Sequence, residues 1–370
     1  MNKKADLYTI FDTLRFPLAF MVVLIHCCNI SNDTLGVTGP NQITLNEFLQ
    51  FSLSNIVCSV AVPTFFFISG YLFFLNIGPS FWEAYKEKLK KRIRTLFKPY
   101  ILWISLSILI TVFSICTTSI LFDRPIGRLY DYFATNGWIR LYWDSYEWGG
   151  DYNILGMKLT NTAPALAPFW FIRDLMVSVI LSPVIYFLIK NLKGYLIAAL
   201  IILYIFNIPT EYHGLGLNMW FSIGAYLAIF HIDFIRYCNK ARWISYSMSI
   251  LLFISCLLVC DNLLVSSLKL IFTFVGVFTM FVIAFDIHNS NIAAAFRKMK
   301  SSTFFVYAFH GFIVTHIHTL LVALTALIGE CNHVVAYIVC PFITVGISLV
   351  LYRIGVKISP RIMTNLGCER

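Results

Sequence analysis

The chain has 370 residues, 59% of them hydrophobic and 12% charged, with a mean hydropathy of +0.77. That balance excludes a water-soluble globule of this length and reads as a polytopic membrane protein. The net charge of +10 would suit a nucleic-acid binder, but the basic residues lie in short clusters between apolar runs, where they act as orientation signals.

Lys3-Lys4 followed by an apolar run resembles a signal peptide. No small-residue cleavage site follows His26-Cys27-Cys28-Asn29, so the run is expected to stay as a first span. Within it, Asp12-x-x-Arg15 stands at the start and His26 near the far end. On an ideal helix, eleven residues place Arg15 and His26 about 16 Å apart along the axis and about 20° apart around it. They share one face, and a polar stripe through lipid is costly enough to suggest function. The plainer reading is a snorkelling arginine and a hydrogen-bonded histidine.

Apolar runs predict an all-α bundle of about ten transmembrane helices, near 10–30, 51–75, 100–122, 168–189, 195–209, 217–232, 243–260, 268–286, 303–328 and 334–354. With the N-terminus inside, inward segments carry twenty-one Lys and Arg and outward segments five, which predicts that both termini are cytoplasmic. The ten cysteines form no CxxC pair, and most lie in apolar runs as small filler. Cys27 and Cys28 beside His26 are weaker candidates for nucleophiles.

The second span ends in Val62-Pro63-Thr-Phe-Phe-Phe-Ile-Ser69-Gly70-Tyr71, where Gly70 permits close helix approach. A basic cytoplasmic loop, 76–99, follows; its end, Lys90-Lys91-Arg92-Ile-Arg94-Thr-Leu-Phe-Lys98-Pro99, could hold phosphates or contact anionic lipid. Residues 123–165 form a long outward loop rich in Tyr and Trp, read as an interfacial belt or a sugar-gripping surface. Pro168-Phe-Trp170-Phe-Ile-Arg173-Asp174 opens the fourth span. At comparable depth, Asp174 could orient the His26 imidazole or Arg173 could hold an oxyanion.

Spans five to eight carry little chemistry; Gly224 and Gly276 read as packing, and His213, His231 and His288 as solvated. The ninth span presents Tyr307-Ala-Phe-His310-Gly311, then His316 and His318. These histidines spread around the helix, so no metal is expected there. The chain ends soon after the tenth span, which leaves no room for a soluble catalytic domain.

Asp12, Arg15 and His26, the Val62–Tyr71 stretch, the basic entrance before Pro99, Phe169-Trp170-Phe171, and Tyr307-Ala-Phe-His310 come in one order. Together they resemble the acyltransferase-3 family of bacterial integral membrane acyltransferases, many of which modify surface polysaccharides. The likeness runs from about residue 7 to 355. It implies a single acyltransferase domain in the bacterial inner membrane, an essential His26 and Arg15, and acyl-CoA as donor, acetyl-CoA by family habit. The tract Lys91-Arg92-Ile-Arg94 departs from the family's Arg-x-x-Arg, which opens the choice of phosphate ligands among Lys91, Arg92, Arg94 and Lys98.

The expected reaction moves the acyl group to a hydroxyl of a glycan or its lipid-linked precursor. His26 would serve as general base or transient acyl carrier, with Arg15, Asp174 and His310 in the catalytic set. Trp170, Arg173 and Tyr307 would contact substrate. The expected partners are acyl-CoA, the glycan acceptor and membrane lipid, without nucleic acid or metal. The rival classes are a proton-coupled transporter or flippase using the Arg15/His26 stripe and a glycan polymerase or ligase.

Overall fold

The computed structural model describes residues 3–28, 44–77, 80–123, 125, 127–154, 157–205, 213–259, 261–329 and 331–368. It is a helical membrane bundle. Helix α1 (Lys3–His26) runs through Pro17 without breaking. The second run begins with α2 (Leu45–Gln50), started by a reciprocal cap in which Glu47 N–H donates to Thr44 Oγ1 and Thr44 N–H donates to the Glu47 carboxylate. It continues through a π-helical segment, Phe51–Ile56, and a 3₁₀ segment, Val57–Val60, into α3 (Ala61–Phe74).

Helix α4 (Phe81–Arg92) joins α5 (Lys98–Leu121) through a second π-helical segment, Ile93–Phe97. Then come α6 (Gly127–Asn136), α7 (Trp138–Trp143) and an antiparallel hairpin of β1 (Tyr146–Ile154) and β2 (Met157–Ala163), paired from Tyr146↔Ala163 to Ile154↔Met157. The remaining helices are α8 (Trp170–Ile180), α9 (Ser182–Leu192), α10 (Gly194–Ile205), α11 (His213–Ile229), α12 (Phe234–Lys240), α13 (Arg242–Leu258), α14 (Asn262–Ile287), α15 (Asn291–Lys298), α16 (Thr303–Leu324), α17 (Cys331–Ile358) and α18 (Pro360–Asn365).

Six helical runs are long and apolar enough to cross a membrane: Leu7–His26, Leu45–Phe74, Phe81–Leu121, Leu264–Ile287, Lys300–Leu324 and Asn332–Ile358. Two bent pairs, α8 with α9 at 58° and α11 with α12 at 105°, raise the number to eight if each counts as one span. Pro183, at the start of α9, lacks the N–H that would continue α8. His231 takes a left-handed backbone, φ 51°, between α11 and α12. Helices α10 and α13 are apolar but shorter. By length and apolarity the described residues thus hold six to eight candidate spans of the ten expected. Residues 29–30, 206–209 and Cys260, placed in spans by sequence, lie outside the described residues.

Although residues 123–165 are too polar to span, part of that segment folds back into the bundle. It returns along α5: Tyr142 Oη bonds Ser105 Oγ at 2.8 Å, and Tyr100 Oη donates to the Tyr142 carbonyl. Leu141, Ala163 and Leu166 are buried, while Tyr130, Trp138, Trp143 and Tyr146 remain exposed. The hairpin is a β element that the helical reading did not foresee.

Close approach of α3 and α11 organises the centre. A Cβ on Gly70 would sit 2.1 Å from the Phe221 carbonyl oxygen, and one on Gly224 would sit 2.2 Å from that of Phe67. Both neighbours are backbone, so neither can yield. Gly70→Ala and Gly224→Ala are each expected to cost about 2–3 kcal/mol or more. Gly346→Ala, with nothing within 4 Å of its added Cβ, should lose no stability. Thermal unfolding of the purified variants in detergent checks the contrast.

Candidate active site

Helix α1 presents Arg15 near its middle and His26 at its C-terminal end. Arg15 Nε lies 3.4 Å from Asp12 Oδ1, and Asp12 Oδ2 also accepts from Lys300 Nζ at 2.7 Å. One carboxylate therefore ties α1 to the start of α16 while holding two cations side by side. Arg297 adds bonds to Thr13 Oγ1 at 3.1 Å and to the His288 carbonyl at 2.8 Å.

At the other end, the rings of His26 and His310 meet with centroids 5.1 Å apart, tilted by 42°. His310 is fully buried, and neither ring nitrogen makes a hydrogen bond among the described residues. Sealed, unsatisfied imidazole nitrogens are costly, and a site that takes up or passes a proton uses such groups. Tyr307, one turn back on α16, lies 5.9 Å from His310 between ring centroids and donates its hydroxyl to the Pro168 carbonyl. Phe169 and Phe171 flank the Tyr307 ring at 5.8 and 5.6 Å.

A cavity of about 680 Å³ opens beside this column. Its lining includes five cations, Arg15, Lys88, Lys91, Arg92 and Lys300, with Tyr8 and Thr95; Phe65, Ile68, Leu72, Phe171, Leu175 and Tyr307 line its apolar part. A cationic region joined to an apolar shaft can take an amphiphile with an anionic head. His26 and His310 do not line this cavity, which reaches the pair through Tyr307.

Of the four expected phosphate ligands, Lys91 and Arg92 face the cavity. Arg94 is exposed and absent from its lining, and Lys98 Nζ instead bonds Asn365 Oδ1 at 2.6 Å. Lys88 and Lys300 were missed. For Lys88 the signal was present, since 88, 91, 92 and 95 follow the i, i+3, i+4, i+7 spacing of one helical face. Lys88 also donates to the carbonyls of Phe73 and Leu75, the latter at 2.8 Å, and so caps the end of α3. Lys300 needed the fold.

Asp174 pairs with Arg173, Oδ1 to Nε at 2.8 Å, and has no hydrogen bond to His26 among the described residues. Arg173 spends Nη1 on the Trp143 carbonyl at 2.7 Å and on Thr162 Oγ1 at 2.9 Å, with its guanidinium over the Trp143 ring. It therefore clamps both arms of the returning segment. Trp170 is buried and outside the cavity lining. Cys27 is buried beside Cys340.

A multi-pass helical membrane protein with a basic cavity beside a column that ends in a pair of histidines in ring contact, one half-buried and one buried, is the class that this geometry defines. The chain belongs to the acyltransferase-3 family: the family's acyltransferase domain matches residues 8–353, nearly its whole length. It is also 30% identical over 132 residues to a serine/alanine racemase of Enterococcus gallinarum. That match covers 36% of this chain and 17% of the racemase, a partial likeness that carries no activity across. No solved structure matches the chain.

Removing Arg173 while keeping Asp174 would leave a carboxylate buried and unpaired. Arg173→Met is expected to cost about 3–5 kcal/mol, and Arg173→Met with Asp174→Leu to recover much of it. Chemical denaturation in detergent reads the cost. Limited proteolysis should cut residues 127–163 faster in the single variant than in the double.

Proposed function

We propose that this membrane acyltransferase moves an acetyl group from acetyl-CoA, made on the cytoplasmic side, to a hydroxyl of a cell-surface glycan or its lipid-linked precursor. The observation that carries the reading is the cavity: five cations suit the phosphates of CoA, and the apolar wall leading to Tyr307 suits the pantetheine arm. Arg15 and Lys300, held together by Asp12, would take phosphate beside Lys91, Arg92 and Lys88. His26 would remove the acceptor hydroxyl proton as the oxygen attacks the thioester carbonyl; the C–S bond then breaks and CoA leaves as the thiol once protonated. In the second route His26 carries the acetyl group between donor and acceptor.

In this reading His310 packs against the His26 ring and holds it in place, while Tyr307 marks where the thioester stops. Arg173 and Asp174 act as the clamp on the returning segment. Trp170, which stands in sequence between the two phenylalanines that flank Tyr307, would shape the acceptor side. Ten spans, cytoplasmic termini and a bacterial inner-membrane location complete the proposal. Six long helices, two bent pairs and two shorter apolar helices support that count.

Purified protein given labelled acetyl-CoA and candidate glycans should transfer label, and His26→Ala should lose at least about 100-fold in rate. Normal transfer by His26→Ala would defeat both routes. Absence of CoA release with every acceptor would favour a transporter. Binding of acetyl-CoA separates the cations: Arg92→Gln and Lys91→Gln should each weaken it by about tenfold, the equivalent of about 1.4 kcal/mol. Arg94→Gln and Lys98→Gln, outside the cavity lining, should stay within about twofold.

A further inference from the structure

Lys269 carries a charge inside a membrane helix and has no assigned task. It stands two turns into α14, and its ammonium makes no hydrogen bond or ion pair among the described residues. A cation so near a helix end could snorkel outward, but Cys28 and the buried Cys256 lie within electrostatic range of it, which sets it on the bundle side of its helix.

A second donor lies on a helical run that packs against α14. Ser59 Oγ bonds Thr273 Oγ1 at 2.7 Å, and a Cβ on Gly276 would meet Val60 Cγ1 at 2.6 Å. The two helical runs are therefore in parallel register, which puts Asn55 and Lys269 one turn further along, on the same seam. Asn55 Nδ2 is buried with no partner. Its neighbour Ser54 donates to the Leu24 carbonyl at 2.9 Å and so fixes this π-helical segment against the end of α1, two residues from His26. Glu47 and Asp261, at the same end of these helices, accept backbone N–H groups as helix caps.

We infer that Lys269 and Asn55 bind the phosphate of a lipid-linked acceptor, on the opposite side of His26 from the basic cavity. This deepens the proposed transfer and rests on it for the word acceptor. Along α1 the order is Tyr8 and Arg15 at the cavity, then His26, then Cys28 beside Lys269. Two N–H donor groups without acceptors call for an oxyanion. Their place within a membrane span calls for one that carries its own apolar tail. A prenyl diphosphate has both properties, and a sugar attached to it would be delivered to the imidazole from the side that CoA does not occupy.

The test uses the full chain in phosphatidylcholine nanodiscs, with farnesyl diphosphate as probe and acetyl-CoA binding measured on the same samples. Farnesyl diphosphate should bind the wild type and bind Lys269→Gln about tenfold more weakly, with Lys269→Arg restoring it. Asn55→Asp, which supplies Lys269 with its own carboxylate, should also expel the probe. Farnesol and inorganic phosphate should each compete poorly, and acetyl-CoA affinity should not move in any variant.

Wild-type affinity in both Lys269→Gln and Asn55→Asp would overturn the site. So would displacement of the probe by phosphatidylglycerol at equal concentration, which would make this an ordinary headgroup contact, or equal competition by inorganic phosphate. A parallel loss of acetyl-CoA binding would place Lys269 with the donor and overturn it too. Should the wild type bind farnesyl diphosphate in a Lys269-dependent way but not acetyl-CoA, the donor assignment fails and this site stands.

Discussion

The structure depends on how α1 lies against α16. Away from water every polar group must find a partner within the protein, and these two helices carry more ionisable groups facing each other than any apolar pair would require. At one end Asp12 satisfies Arg15 and Lys300 together, so two cations are held adjacent without mutual repulsion pushing the helices apart. At the other end His26 and His310 meet ring to ring, and the buried ring nitrogens of His310 find no partner among the described residues. The contrast along one interface, satisfied at the basic end and unsatisfied at the imidazoles, separates the part that builds from the part available for chemistry.

The surrounding elements serve that interface. The Phe169 and Phe171 rings pack around Tyr307, whose hydroxyl is tied to the Pro168 carbonyl, so the turn before His310 has little freedom to rotate. The returning segment is polar, and it can lie inside the bundle because Arg173 and Tyr100 satisfy its carbonyls at Trp143 and Tyr142. Gly70 and Gly224 let α3 and α11 approach until backbone meets backbone, and α3 carries Phe65, Ile68 and Leu72 to the cavity wall.

Much of this was legible in sequence. The apolar runs gave the helical class, and the Asp12-x-x-Arg15 and Tyr307-x-x-His310 spacings marked residues that the fold brings to one column. What sequence could not give was the pairing between helices. Asp174 was matched to His26 by depth alone, and the bond that the fold gives its carboxylate is to the adjacent Arg173. The basic tract was read as a cluster where the fold uses a face. Lys88, Lys91, Arg92 and Thr95 share the helical stripe toward the cavity, while Arg94 lies off it and Lys98 comes after the π-helical turn at Ile93–Phe97. The hairpin escaped notice because an aromatic, polar loop carries the same composition whether it lies on the surface or folds inward. Lys269 sits at the edge of the apolar run 268–286, although the helix around it extends seven residues before it.

The two π-helical segments fall where the proposed chemistry needs the chain to depart from regular geometry. A π turn widens the hydrogen-bonding step from i→i+4 to i→i+5, which costs good backbone geometry and survives where surrounding contacts over-determine it. One segment, Phe51–Ile56, is held by Ser54 to the Leu24 carbonyl and to Tyr337, beside the end of α1. The other, Ile93–Phe97, adjoins the cations at the cavity and turns the helix between Arg92 and Lys98. On the proposed reading these are the acceptor side and the donor side of the same imidazole. Asn55 stands on the first of these segments, while Lys88, Lys91 and Arg92 stand on the regular helix that leads into the second.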